Sequence, residues 1–185
     1  KNFYFQGVSS DFYTLAKACT GVAFTGKLVQ IALPQIYRHR PLLNVALYHE
    51  LGHFLDMANS IVKHSFLLEP NESFCLPELD IIPVSQNQKR HIANNHRMEY
   101  FADLFAASYT GQAYKTFLLD FAKDNPICST HPATTDRLAL IDCFITSQNH
   151  PLIELFQESL SCLKLPKLAI AFSVPDIAEA FANFP

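Results

Sequence analysis

The sequence predicts an α+β fold, mainly helical, with a small sheet next to one central helix, and three observations carry that expectation. Leu43, Leu47, Leu51, Phe54 and Ala58 recur every three or four residues, the period of one apolar helix face. A second long helical stretch runs from about Gln88 to Thr110. Between Gly26 and Pro34, the segment Lys27 to Leu33 has the composition and punctuation of a strand.

The elements follow in order. Residues 1 to 7, Lys-Asn-Phe-Tyr-Phe-Gln-Gly, resemble the end of a viral-protease tag site, with Lys1 and Phe3 departing from its usual form. They are set aside as an expression-tag remnant. Residues 8 to 185 are then a single domain of ordinary size. Asp11 to Ala18 reads as a short helix, and the strand Lys27 to Leu33 leads directly to the helix around residues 45 to 57. Pro41 suits that helix's first turn. Gly52 inside it costs about 1 kcal/mol relative to alanine, a cost that close approach of another backbone would explain.

From Lys63 to Arg97 the pattern breaks at Pro70, Asn71, Pro77 and Pro83, followed by the polar run Gln86 to Arg90. A connection this long reads as a lid or cleft wall, with His64, His91 and His96 facing solvent. After the helix to Thr110 comes Gly111, another helical stretch to Lys123 and a break at Asp124-Asn125-Pro126. Ser129 to Leu138 opens a further helix with Pro132 at its first position. Helical segments near Leu152 to Leu163 and Pro175 to Phe184, and a strand at Lys167 to Ser173, complete the expected core.

The net charge of -3, with Lys and Arg scattered, excludes a basic phosphate-binding stripe and so argues against nucleic acid as a partner. No uncharged apolar run approaches the roughly 18 residues of a membrane span, and no signal peptide opens the chain. Five widely spaced cysteines without a CxxC fit neither a disulfide framework nor a zinc ribbon. The expectation is a soluble, cytoplasmic protein in a reducing compartment, with its oligomeric state open.

Within the central helix, His49, Glu50 and His53 form the pattern HExxH. With 8 His and 8 Glu among 185 residues, chance predicts only about 0.015 such motifs. Imidazoles four residues apart project from one helix face and can bind one Zn²⁺, while Glu50 beside them can act as general base toward a zinc-activated water. On the later helix, Glu99 and Asp103 are also four apart and share a face with Ala102, Ala106 and Thr110. Small residues let one helix approach another, as Glu99 needs if it is the third zinc ligand. Asp103 can then accept a ligand histidine's second N–H. The alternative is a solvated acidic edge.

His-Glu-Leu-Gly-His (49 to 53), Glu-Tyr-Phe-Ala-Asp (99 to 103) and Ser-Thr-His-Pro (129 to 132) leading to Arg137 together resemble the gluzincin metallopeptidases, especially the HtpX and CAAX-prenyl-protease branch. The resemblance spans about half of the chain. It implies a zincin-like metalloprotease domain, with His49, His53 and Glu99 as zinc ligands, Glu50 as general base, and His131 and Arg137 near the cleft. HtpX-like enzymes are membrane-embedded, so their membrane substrates are not carried over. Metzincins are disfavoured, because Asp56 and Asn59 stand where their pattern needs glycine and histidine.

The expected substrate is a peptide or protein, extended beside the strand Lys27 to Leu33. His131 is the candidate oxyanion donor, and Arg137 can pair with Asp103 or another acidic group. The bland alternatives are a histidine capping its own helix and an arginine on a solvated face. For the whole chain, the alternative function is a catalytically silent zinc-binding regulatory or interaction module.

Overall fold

The computed structural model describes residues 5–7, 29–31, 45–70 and 85–171, and over them the chain is mainly helical. It divides into two compact units, residues 1–41 and 42–185. In the first, β1 (Phe5–Gly7) pairs antiparallel with β2 (Val29–Ile31), Phe5 opposite Ile31 and Gly7 opposite Val29. Part of the segment set aside as a tag remnant therefore pairs with part of the strand expected at Lys27 to Leu33. The helices expected at Asp11 to Ala18 and Pro175 to Phe184 lie outside the described residues, as do Pro41 and Leu43.

The second unit is built from α1 (Ala46–Asn59), α2 (Ile61–Leu68), α3 (Gln86–Thr110), α4 (Gln112–Phe121), α5 (Thr134–Ile145) and α6 (Pro151–Cys162). α3 is its spine. Tyr100, Phe101, Leu104, Ala106 and Ala107 of α3 are buried against Ile61 and Val62, Tyr114 and Leu118, Leu140 and Ile141, and Leu152, Phe156 and Leu160. Phe101 meets Phe156 edge-on at 5.5 Å between ring centroids, a favoured aromatic geometry.

Several boundaries differ from the sequence expectation for identifiable reasons. The break expected from Lys63 begins later, because α2 runs to Leu68. Ser60 turns the chain through the left-handed region (φ 58°), and the buried Asp56 carboxylate accepts the Val62 N–H at 2.6 Å, capping α2 from the preceding helix. Gln86 to Arg90 is not loop but the first turn of α3. Ser85 and Gln88 form a reciprocal capping box there. Residues 71–84, the centre of the expected lid, lie outside the described residues.

α5 starts at Thr134, so Pro132 precedes the helix rather than opening it. No strand forms over Lys167 to Ala171, where the backbone of Leu168 is bonded on both sides by the Gln157 amide, at 2.7 and 3.1 Å, and Ala171 N–H reaches the Ser108 carbonyl at 2.7 Å. Cys128, Cys143 and Cys162 are free thiols. Among the described residues no helix is long and apolar enough to cross a membrane.

The apolar stripe expected to bury α1 is only half-buried at Leu47, Leu51, Phe54 and Ala58. The fully buried positions of α1 are instead Ala46, Gly52 and Asp56. α1 meets α3 along its line of small residues, which is also the line that carries the histidines.

Candidate metal centre

The crossing of α1 and α3 is closest at Gly52. A Cβ on residue 52 would lie 2.7 Å from Ala102 Cα, closer than such atoms approach, and 3.1 Å from Phe105 Cβ, a tight contact. The missing side chain lets the two backbones touch, and this offsets the helix-propensity cost of glycine. The histidines on either side of Gly52 are thereby brought against Glu99.

His49, His53 and Glu99 each offer one ligand atom, all within 4.8 Å of one another, so the group can hold a metal ion. His49 Nε2 lies 3.1 Å from His53 Nε2 and 3.3 Å from Glu99 Oε2, and His53 Nε2 lies 3.3 Å from Glu99 Oε1. Two features of the chain's own chemistry fit a cation there. Glu99 Oε2 is buried and, among the described residues, has only long contacts, 3.3 Å to His49 Nε2 and 3.4 Å to Arg137 Nη2, an arrangement that a cation would compensate. The buried carboxylates of Glu99 and Asp103 also outnumber the one guanidinium beside them, Arg137.

Asp103 is the hub behind the ligands. It is fully buried, and its Oδ1 lies 3.0 Å from His49 Nδ1, 2.6 Å from Arg137 Nη2 and 2.5 Å from the Tyr114 hydroxyl, while its Oδ2 accepts from Arg137 Nε at 2.7 Å. With Nδ1–H directed at Asp103, His49 presents the Nε2 lone pair to the other two ligands. Arg137 Nη2 also stands 3.4 Å from Glu99 Oε2. The guanidinium thus joins α5 to both carboxylates of α3.

These contacts shift the protonation of the whole group. Burial raises the Asp103 carboxyl, but the Arg137 guanidinium more than offsets it and holds Asp103 at about 2. Burial likewise disfavours charge on Glu99, yet its hydrogen bonds to His49 and His53 drive it far below the usual carboxylate range. For His49 burial lowers the pKa, and bonding to Asp103 and Glu99 overcomes this and raises it to about 9. Without a metal, a proton on His49 therefore supplies the missing positive charge.

Tyr114 is a member of this network that periodicity conceals. Its hydroxyl lies 2.8 Å from His49 Nδ1 as well as on Asp103, and burial, followed by the charge of Asp103, pushes its pKa well above 10. In sequence it is one aromatic of an amphipathic helix, indistinguishable from core. Its only signal is a hydroxyl four residues after the Thr110 end of the carboxylate face.

The remaining expected residues lie as follows. Glu50 is partly exposed on α1, one residue from His49. His131 is 52% exposed in the loop before α5, with Nε2 3.6 Å from Glu99 Oε1. His96, expected at the surface, is fully buried, because its Nε2 bonds the Cys128 carbonyl at 2.6 Å and ties that loop to α3. His91 is exposed, and His64 is half-buried on α2.

A scan against protein-family models and searches of curated proteins and of solved structures find no match to this chain.

Proposed function

We propose that this chain is a zinc-dependent metallopeptidase of gluzincin type acting on a peptide or protein substrate. The observation that carries the reading is the convergence of the ligand atoms. Tetrahedral zinc with bonds of about 2.0–2.2 Å requires ligand-to-ligand edges of about 3.3–3.6 Å; His49 Nε2 and His53 Nε2 lie 3.1 Å apart, and each lies 3.3 Å from one of the two Glu99 carboxylate oxygens, Oε2 and Oε1 respectively. Two histidines and one carboxylate are also a common ligand set for a catalytic rather than a structural zinc.

Zinc bound there supplies the Lewis acidity that makes water nucleophilic near neutral pH. The chain's own residues do the rest. Asp103 and Tyr114 orient His49, and Arg137 keeps Asp103 ionised for that task. Glu50, beside the ligands and partly open to solvent, accepts the proton of the attacking water and returns it to the leaving amine. His131 reaches the ligand group from the opposite element and donates Nε2–H to the carbonyl oxygen as it gains charge.

The test compares wild type with Glu50→Gln for zinc content and for cleavage of a peptide library, read by mass spectrometry of cleavage sites. Expected are equal zinc in both and cleavage by wild type alone. A zinc-loaded wild type that cleaves no polypeptide would leave the chain a zinc-binding interaction module.

A further inference from the structure

His131 comes to the ligands on a loop, and the loop is held at several points. The His96 ring bonds the Cys128 carbonyl at 2.6 Å, Asn95 Nδ2 donates to the Ser129 carbonyl at 3.0 Å, and Cys128 N–H donates to the His131 carbonyl at 2.9 Å. Asn95 and His96 stand on α3, one turn before Glu99, so a single helix places both the ligand and the backbone that carries His131. The ring itself is half open to solvent and would turn about its side-chain bonds unless something held it. Among the described residues its near partner on the side away from Glu99 is Thr130, whose Oγ1 lies 2.8 Å from His131 Nδ1.

The direction of that bond follows from the groups around it. Ionised Glu99 only accepts hydrogen bonds, so an unprotonated Nε2 at 3.6 Å would set two lone pairs against each other. The favourable neutral tautomer carries its proton on Nε2, leaving Nδ1 as an acceptor for the threonine hydroxyl. Thr130 Oγ1 also meets Cys128 Sγ at 3.4 Å, a contact in which either atom can donate.

We propose that Thr130 is the positioning residue for His131: its hydroxyl donates to Nδ1, fixing the ring's orientation and keeping Nε2–H directed at the space beside Glu99. Its kinetic consequence rests on the peptidase reading above, while the tautomer itself does not. A side chain one residue away thus governs whether the exposed histidine is a donor or an acceptor toward substrate.

The experiment uses the full chain with ¹⁵N-labelled histidine, in alkaline buffer where free imidazole is neutral, as wild type, Thr130→Val and Thr130→Ser. Thr130 is exposed, so neither variant disturbs the core. In metal-free wild type the His131 signals should show a protonated Nε2 and an unprotonated Nδ1. Thr130→Val should mix the tautomers, and Thr130→Ser should restore the wild-type pattern. In the zinc-loaded protein, Thr130→Val should lower kcat for peptide hydrolysis about tenfold with KM unchanged, less than the roughly 10²–10³ expected when an oxyanion donor is lost outright, with serine again restoring it. Protonated Nδ1 in wild type, or identical signals in wild type and Thr130→Val, would overturn the proposal. If wild type cleaves nothing, the peptidase reading fails, and the tautomer measurement still decides the role of Thr130.

Discussion

Arg137 and Asp103, on α5 and α3, form a buried two-point pair in which the guanidinium grips both carboxylate oxygens at 2.6 and 2.7 Å. Removing one partner strands the other's charge in the interior, so Arg137→Ala should cost about 3–5 kcal/mol of stability. Arg137→Lys should recover little, because an ammonium cannot reproduce the planar fork. Urea denaturation of the metal-free chain measures both, and an alanine variant within 1 kcal/mol of wild type would mean the pair is not what holds α5 to α3.

Tyr114→Phe keeps the ring in the core and removes only the hydroxyl shared by Asp103 and His49. Loss of a group that orients a metal-bound histidine typically lowers metal affinity by about 10–100-fold. Stability should fall by about 1.5–3 kcal/mol, the worth of a hydrogen bond to a charged group. Competition with a chelator of known affinity reads the first effect, and an unchanged zinc dissociation constant would remove Tyr114 from the site.

Gly52→Ala should destabilise, although alanine is the better helix former by about 1 kcal/mol. The added methyl meets Ala102 Cα, a backbone atom that cannot turn away, and overpacking of this kind costs about 1–3 kcal/mol. Ala102→Gly in the same chain should fail to rescue it, since the nearest atom remains. Zinc affinity should drop with stability because α1 and α3 are wedged apart at the ligands. A thermal melt and a metal titration of single and double variants decide this.

The pH dependence follows from His49. Its folded pKa of about 9 lies above the ordinary value of about 6.5, so its contribution to metal-free stability is fully present below about 6.5 and is lost as pH rises through 9. Metal must displace that proton, so between these limits affinity should rise with pH, by up to about tenfold per unit, and level off above 9. Metal titrations across this range, with proton release followed in parallel, provide the check. An affinity independent of pH would show that His49 is already neutral.

Much of the site is legible in sequence because its geometry is helical. Spacings of four residues bring His49 and His53 to one face, and Glu99 and Asp103 to another, before any tertiary contact is known. Gly52 announces the crossing that joins the two faces by being a poor helix residue in a helix. Tyr114 and His96 are not legible, since each acts through a partner 65 or 32 residues away and local periodicity treats both as ordinary. α2 is hidden by its left-handed Ser60, which makes a helix-to-helix joint look like the end of regular structure. The buried line of α1 is misread because it carries small and polar residues, whose burial follows from the close crossing at Gly52 and from the cap that Asp56 gives α2.

α3 is at once the central rod of the core and the mount for Glu99, Asp103 and the anchors of the His131 loop. A site mounted on a mobile loop can open and release its ion while the rest of the protein stays folded. Here, Glu99 is fixed on the helix on which the other helices rest, and His49 and His53 reach it from α1, so losing the ligand geometry means undocking one helix from another. An ion held at a hundred times its dissociation constant would therefore add about 2.7 kcal/mol to the state in which α1 is docked on α3. Amides of α1 and of α3 around Glu99 should accordingly exchange with solvent more slowly when the metal is bound.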